Sequence, residues 1–214
     1  MDPSNPKKFL NVGSGPKENV FLPPWLKSSD WQQVRLDIEP ANDPDILCSA
    51  TDMSAHVADA SFDAIWAANI LEHLYAHEVE PTVRELARVV KPDGIVQVLV
   101  PDLQRVASMV AQGKLLETVY LAPSGPISPI DILFGHRGSI AQGEVHMAHK
   151  TGFIESSLHQ LLHAAGLKNT RIYFLEWDLL AVGTRSDLVA NPLLGQIDEC
   201  CRAPAPAEKP ERKP

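Results

Sequence analysis

The sequence predicts an α/β fold in which a mostly parallel sheet, flanked by helices, closes in an antiparallel hairpin. Three observations carry that prediction. Short apolar runs ended by turn residues recur between Phe9 and Val100, as buried strands do. Between the fourth and fifth runs, Val79, Val83, Leu86, Ala87 and Val90 recur at helical spacing, and a strand, helix, strand order implies parallel neighbours. The last two runs are separated only by Glu176-Trp177-Asp178, enough for a hairpin and too little for a parallel crossover.

The first strand is Phe9-Leu10-Asn11-Val12, closed by Gly13-Ser14-Gly15-Pro16. Gln33 to Ile38 reads as the second, Asp45 to Cys48 as the third and Phe62 to Ala67 as the fourth. The fifth, Ile95 to Val100, follows the turn Lys91-Pro92-Asp93-Gly94. Pro23-Pro24 leaves room only for a shortened helix after the first strand. Leu103, Val106, Ala107 and Val110 mark a helix ended by Gly113. From Leu121 to Gly152 the chain is rich in Gly, Pro, Ser and His and lacks clear periodicity, as expected of an acceptor-side loop or lid. Ile154, Leu158, Leu161, Leu162 and Ala165 form a helix stopped by Gly166, and Thr170 to Leu175 with Leu179 to Gly183 make the closing hairpin. We expect one folded domain over residues 7–195, and disorder in the Pro, Ala and charge-rich tail 202–214.

Composition narrows the function. A chain of 214 residues has room for one domain with decorations, and 44% hydrophobic residues suffice for a sizeable core. Against 27 acidic residues stand 19 basic ones, a net charge of −8 and the wrong sign for holding nucleic acid through its phosphates. No apolar run approaches the ~18 residues of a membrane span, and no signal-peptide stretch follows Met1, so the expected location is cytoplasmic. Cys48 reads as core, and Cys200 and Cys201 as exposed thiols near the tail. No CxxC spacing supports a zinc finger or a disulfide framework.

In an open parallel sheet, ligands bind just beyond the carboxyl ends of the strands, at the switch in strand order. Here those positions hold Gly13 and Gly15, then Asp37, placed to accept hydrogen bonds from a ribose diol, then Asp52-Met53 and Asn69-Ile70-Leu71-Glu72-His73-Leu74. Leu10-Asn11-Val12-Gly13-Ser14-Gly15, Leu36-Asp37-Ile38, Ser61-Phe62-Asp63-Ala64-Ile65, Leu71-Glu72-His73-Leu74 and Glu85 to Gly94 occur in this order. In these segments the chain resembles the class I S-adenosylmethionine-dependent methyltransferases, most closely over Phe9 to Val100. The resemblance implies a doubly wound, Rossmann-like αβα sandwich whose seven-stranded, mostly parallel sheet has an antiparallel last strand. It also implies that S-adenosylmethionine is the cofactor. Asn11, Gly13, Ser14 and Gly15 would lie against its methionine part and Asp37 would hold the ribose. Ile38 would pack on the adenine, Asp52 and Met53 would sit at its edge and other face, and Asn69 and His73 would lie near the transferred methyl. Ser49 stands where many relatives carry an acid, and Pro16 cuts the glycine loop short. A dinucleotide fingerprint needs a third glycine where this chain has Glu18, and no tyrosine has a lysine four residues on, which disfavours a nicotinamide oxidoreductase.

Methyl transfer is an in-line displacement from a donor that already carries its leaving group, so few catalytic groups are expected. His73, Asp102, His136 and His149 are the candidates. His73 equally suits packing at a helix start, Asn69 a strand-end turn, and Asp102 the N-cap of the helix beginning at Leu103. His136, His146 and His149 cluster in the irregular stretch, with Arg137 and Lys150 beside them to orient an acceptor. The H-x-x-H pair His146 and His149 lacks the cysteines or helical H-E-x-x-H of zinc sites, so no metal ligand is assigned. Trp25, Trp31, Trp66 and Trp177 read as core or cleft wall. The expected activity is methylation of a small molecule, with a sugar-like or natural-product hydroxyl as acceptor. The alternative is a methyltransferase-like binding module without catalysis.

Overall fold

The computed structural model describes residues 6–19, 21–122, 124–186 and 191–201. Its strands are β1 (Lys7–Val12), β2 (Trp31–Asp37), β3 (Ile46–Leu47), β4 (Phe62–Ala68), β5 (Val90–Pro101), β6 (Tyr120–Ala122), β7 (Gly125–Ile127), β8 (Asn169–Phe174) and β9 (Asp178–Thr184). Its helices are α1 (Ala76–Val89), α2 (Leu103–Ala111), α3 (Pro129–Phe134), α4 (Arg137–Ala141), α5 (Glu155–Ala164) and α6 (Pro192–Cys201).

Seven strands make one sheet in the order β3-β2-β1-β4-β5-β9-β8. Every pair from β3 to β5 is parallel, and β9 runs antiparallel to both β5 and β8, so the last strand alone is reversed. The chain builds outward from β1 to β3 and then returns to place β4 on the other side of β1. That reversal puts the switch point between β1 and β4, where Val12 pairs with Ala67, so Gly13 and Asn69 emerge close together.

Both faces of the sheet are covered, which is why its strands read as unbroken apolar runs. On one face Leu10, Leu36, Ile65, Val96 and Val98 pack with Val83 and Leu86 of α1 and Leu158 and Leu162 of α5. On the other, Phe9, Trp66, Ile95, Leu99 and Leu180 meet Trp25, Leu26, Leu193, Leu194 and Ile197. The second face also buries Gln97, whose side-chain oxygen accepts the Trp25 indole hydrogen at 2.6 Å.

Three expectations need correction. The folded chain continues past Gly195 to Cys201, because Leu193, Leu194 and Ile197 of α6 seal the second face, and Cys201 packs against that cluster rather than lying exposed. The stretch 121–152 is built, not irregular: it holds the β6–β7 hairpin from Tyr120, helices α3 and α4 and a 3-10 turn at Val145–Met147. Ile127 and Ile132 within it share a third cluster with Val106 of α2. Between β1 and β2 the described residues form only 3-10 turns, Lys17–Asn19 and Pro24–Leu26, a shortening beyond that expected from Pro23-Pro24. The tail 202–214 lies outside the described residues. Among the described residues no helix is long and apolar enough to cross a membrane.

Candidate active site

The turn after β1 needs glycine. Gly13 and Gly15 stand at φ of 66° and 63°, where an L side chain is strained. A Cβ on Gly13 would also fall 2.9 Å from Ile70 Cδ1, so this glycine admits Ile70. The Gly13 and Ser14 amides donate to the Leu36 carbonyl at 2.9 and 3.1 Å. The Gly15 amide donates to Asp37 Oδ2 at 2.8 Å, and Asp37 Oδ1 accepts from the Glu39 amide at 2.9 Å. Beneath them the buried Arg35 guanidinium holds the carbonyls of Gly15, Asn42 and Asp43.

Around this turn Asn11 and Ser14 are buried, whereas Ile38, just past β2, is 70% exposed. Asp52 is exposed, and its carboxylate accepts from the Ser54 amide and hydroxyl. Met53 departs from the expectation: the residue is fully buried in the core, its amide donates to Glu85 at 2.7 Å and its carbonyl accepts from the His56 and Val57 amides, so it offers a ligand neither side chain nor main chain.

A cleft of about 280 Å³ opens beyond β4 and β5, with Asn69, Glu72 and His73 on one side and Tyr120, His136, His149, Trp177 and Asp178 facing them. Asn69, at φ 52°, donates its amide to the Leu99 carbonyl at 2.9 Å. The Glu72 carbonyl receives the amides of Lys150 and Thr151, and this clamp brings His149 to His73 with ring centroids 4.8 Å apart. Burial, reinforced by the Asp178 charge, pushes the Glu72 carboxyl up to about 8. Burial, with His149 second, pulls the His73 imidazole down to about 4, and burial lowers His149 as well. Burial followed by Asp102 raises Asp178 to about 6.

The remaining candidates are engaged elsewhere. Asp102 is the N-cap of α2, accepting from the Gln104 and Arg105 amides, and is not among the residues lining the cleft. His136 caps α4 by accepting the Ser139 amide at its Nδ1, so in the neutral ring its Nε2 bears the hydrogen. His146 is exposed and outside the cleft lining. Arg137 pairs with the buried Asp131 at 2.7 Å, and the Lys150 ammonium donates to the His73 carbonyl at 2.8 Å, so neither is the free acceptor-orienting cation expected from sequence. Of the tryptophans only Trp177 walls the cleft, with the Arg105 guanidinium 4.6 Å from its ring centroid. The sequence reading assigned no role to Glu72 or Asp178. Glu72 sits beside a residue it singled out, and Asp178 sits in the hairpin connector, but only the fold reveals that a buried and a half-buried acid share one cleft.

Residues 10–98 match the family model of the methyltransferase domain. Over this stretch the chain carries a methyltransferase domain. Its fold recurs in a SAM-dependent methyltransferase from Archaeoglobus fulgidus (11% identity, TM-score 0.56, covering 84% of this chain and 86% of that one). It recurs also in the 1,6-didemethyltoxoflavin-N1-methyltransferase of Burkholderia thailandensis, solved with 1,6-didemethyltoxoflavin and S-adenosylhomocysteine (13%, TM-score 0.50, 86% and 73%). An O-methyltransferase family protein from the same organism matches at 13% identity and TM-score 0.51, over 87% of this chain and 53% of that one. No curated protein sequence matches the chain. S-adenosylmethionine is the cofactor that the sequence resemblance implies, and the donor set at the ends of β1 and β2 fits it. The glycines leave open backbone, the Asp37 carboxylate has lone pairs beyond the two that Gly15 and Glu39 use, and Ile38 offers an exposed apolar face.

Proposed function

We propose that this methyltransferase domain methylates a small molecule at a hydroxyl oxygen and that the cleft beyond β4 and β5 seats that acceptor. The observation that carries the reading is the cleft itself. It begins at Asn69, beside the glycine turn, and its volume of about 280 Å³ is at the low end for small-molecule sites, with residues from 120 to 149 closing it.

In this reading Asn11, Gly13, Ser14 and Gly15 receive the methionine part of the donor, Asp37 the ribose hydroxyls and Ile38 the adenine face. Asp52 lies at the polar edge, and Asn69 and His73 lie where the two sites meet. When bound, S-adenosylmethionine supplies an activated methyl group with its leaving group attached. Tyr120 and Trp177 then flatten and orient the acceptor, and positioning supplies most of the rate. Asp178 is the proton acceptor, because it lines the cleft and its proton affinity, raised to about 6, suits a base working near neutrality. Asp178 would take the proton of the acceptor hydroxyl as that oxygen receives the methyl group.

The test is a panel of hydroxyl- and amine-bearing small molecules incubated with donor labelled in its methyl group. Label in a hydroxyl compound, lost in Asp178→Asn while calorimetry still finds the donor bound, supports the reading. Label found only in amines or in macromolecules overturns it.

A further inference from the structure

We propose that Glu72, His73 and His149 form a binding site for one divalent transition-metal cation of the zinc class, at the acceptor end of the cleft. One ligand atom from each residue lies within 4.8 Å of the other two. Two imidazoles and one carboxylate suit such cations and leave coordination positions open.

The hydrogen bonds around the two rings point the same way. His149 Nδ1 lies 2.7 Å from the Ile132 carbonyl oxygen and His73 Nδ1 lies 3.3 Å from that of Ala148. A carbonyl only accepts, so each Nδ1 bears the hydrogen and each Nε2 keeps its lone pair. Metal-bound histidines are held in this way, with the second ring nitrogen donating to a carbonyl or carboxylate.

Glu72 supplies an independent observation. Its residue is only 2% exposed, and its Oε2 is buried with no hydrogen-bond partner. An orphaned carboxylate oxygen is costly to bury, and a cation would satisfy it. A chamber of about 20 Å³, room for a single water-sized occupant, touches both Glu72 and His149. Tetrahedral ligands at the usual ~2.1 Å bond length stand about 3.4 Å apart, so small side-chain rotations would close the present spacing.

Nothing in H-x-x-H spacing predicts this set. His149 takes part, but its partners are Glu72 and His73 from the end of β4, while His146 is exposed. Binding of the cation stands independently of the acceptor assignment. Its use, holding the acceptor oxygen so that the proton leaves for Asp178 more readily, rests on the proposed function.

The full chain, stripped with a chelator, is titrated without donor, with Zn²⁺ by calorimetry and with Co²⁺ by visible absorption. One equivalent is expected to bind with Kd of about 10 μM or tighter, and Glu72→Gln and His149→Gln each weaken it at least ~10-fold while His146→Gln leaves it within about twofold. Thermal unfolding and donor affinity of each variant report that it folds. Should Glu72→Gln fail to fold, proton NMR of the Co²⁺-loaded wild type decides, since bound imidazoles give shifted ring signals and their absence overturns the site. Lack of saturable one-to-one binding, or binding that survives His149→Gln, also overturns it. Failure of the methyl-acceptor reading would appear only in the labelled-donor assay.

Discussion

The Gly15 amide donates to the Asp37 carboxylate at 2.8 Å, so the glycine turn after β1 and the acid ending β2 form one unit. Arg35 closes the same unit from below by holding the Gly15 carbonyl. The acid that would receive the ribose therefore also shapes the loop that would receive the methionine part, and substitutions here affect both halves of the donor.

Asp37→Ala is expected to weaken S-adenosylmethionine binding by ~1.5–3 kcal/mol, since charge-assisted hydrogen bonds are lost together with the anchor of the Gly15 amide. Asp37→Asn keeps one acceptor oxygen and should fall between the variant and the wild type. Calorimetry reads both, and an unchanged affinity in Asp37→Ala removes the ribose assignment.

Alanine at Gly13 or Gly15 costs ~1–2 kcal/mol through the left-handed backbone alone. Only at Gly13 does the new Cβ meet another side chain, 2.9 Å from Ile70 Cδ1, whereas nothing lies near Gly15. Gly13→Ala should therefore lower the unfolding midpoint further, and Ile70→Ala should relieve part of that loss with a coupling of ~0.5 kcal/mol or more. The same Ile70→Ala should show no coupling with Gly15→Ala. Equal costs at the two glycines would remove the Ile70 contact from the account.

The sheet was legible because burial on both faces turns β1, β4 and β5 into continuous apolar runs, and because Glu176-Trp177-Asp178 is too short for anything but a hairpin. The places of Gly13, Gly15 and Asp37 were legible because a glycine turn and an acid stand directly at the ends of the first two strands. What remained hidden depends on distant partners. Ten residues of α6 carry only Leu193, Leu194 and Ile197 as a buried set, a weak period beside Pro192. Met53 falls inside the core because Val57, two residues before Asp59, folds back beneath it with its amide donating to the Met53 carbonyl. Arg137 looked free until Asp131, six residues earlier, turned toward it on α3. His149 meets His73 through a main-chain clamp on Glu72, and no local spacing encodes that meeting.

Asp102 separates a capping role from a chemical one. Its Oδ1 accepts the Gln104 and Arg105 amides, so Asp102→Ala should cost about 1 kcal/mol of stability. Asp102→Ser retains the cap and is expected to keep both the stability and the turnover to within about threefold. A fall in turnover of ~10²-fold in the folded Ser variant would make Asp102 the proton acceptor in place of Asp178.

Asp178 should reveal itself by moving stability and activity in opposite directions. Its carboxyl is raised from 3.8 to about 6, first by burial and then by the Asp102 charge. Below pH 3.8 the residue is protonated in the folded and unfolded chains alike and contributes no pH dependence. Between there and pH 6 the unfolded chain releases its proton while the folded chain retains it, so stability falls as pH rises, by at most ~3 kcal/mol once both are ionised. Asp178→Asn abolishes that loss. The variant should match the wild type near pH 3.5 and exceed it in thermal unfolding at pH 7.5. Turnover should do the reverse: wild-type kcat/KM for the acceptor climbs as pH rises through about 6, and the variant loses both the climb and ~10²-fold or more of the rate. A variant that gains stability at pH 7.5 yet keeps its turnover would reduce Asp178 to a half-buried acid of the cleft wall, and one with no pH-dependent gain would show that the carboxyl is not desolvated in the folded chain.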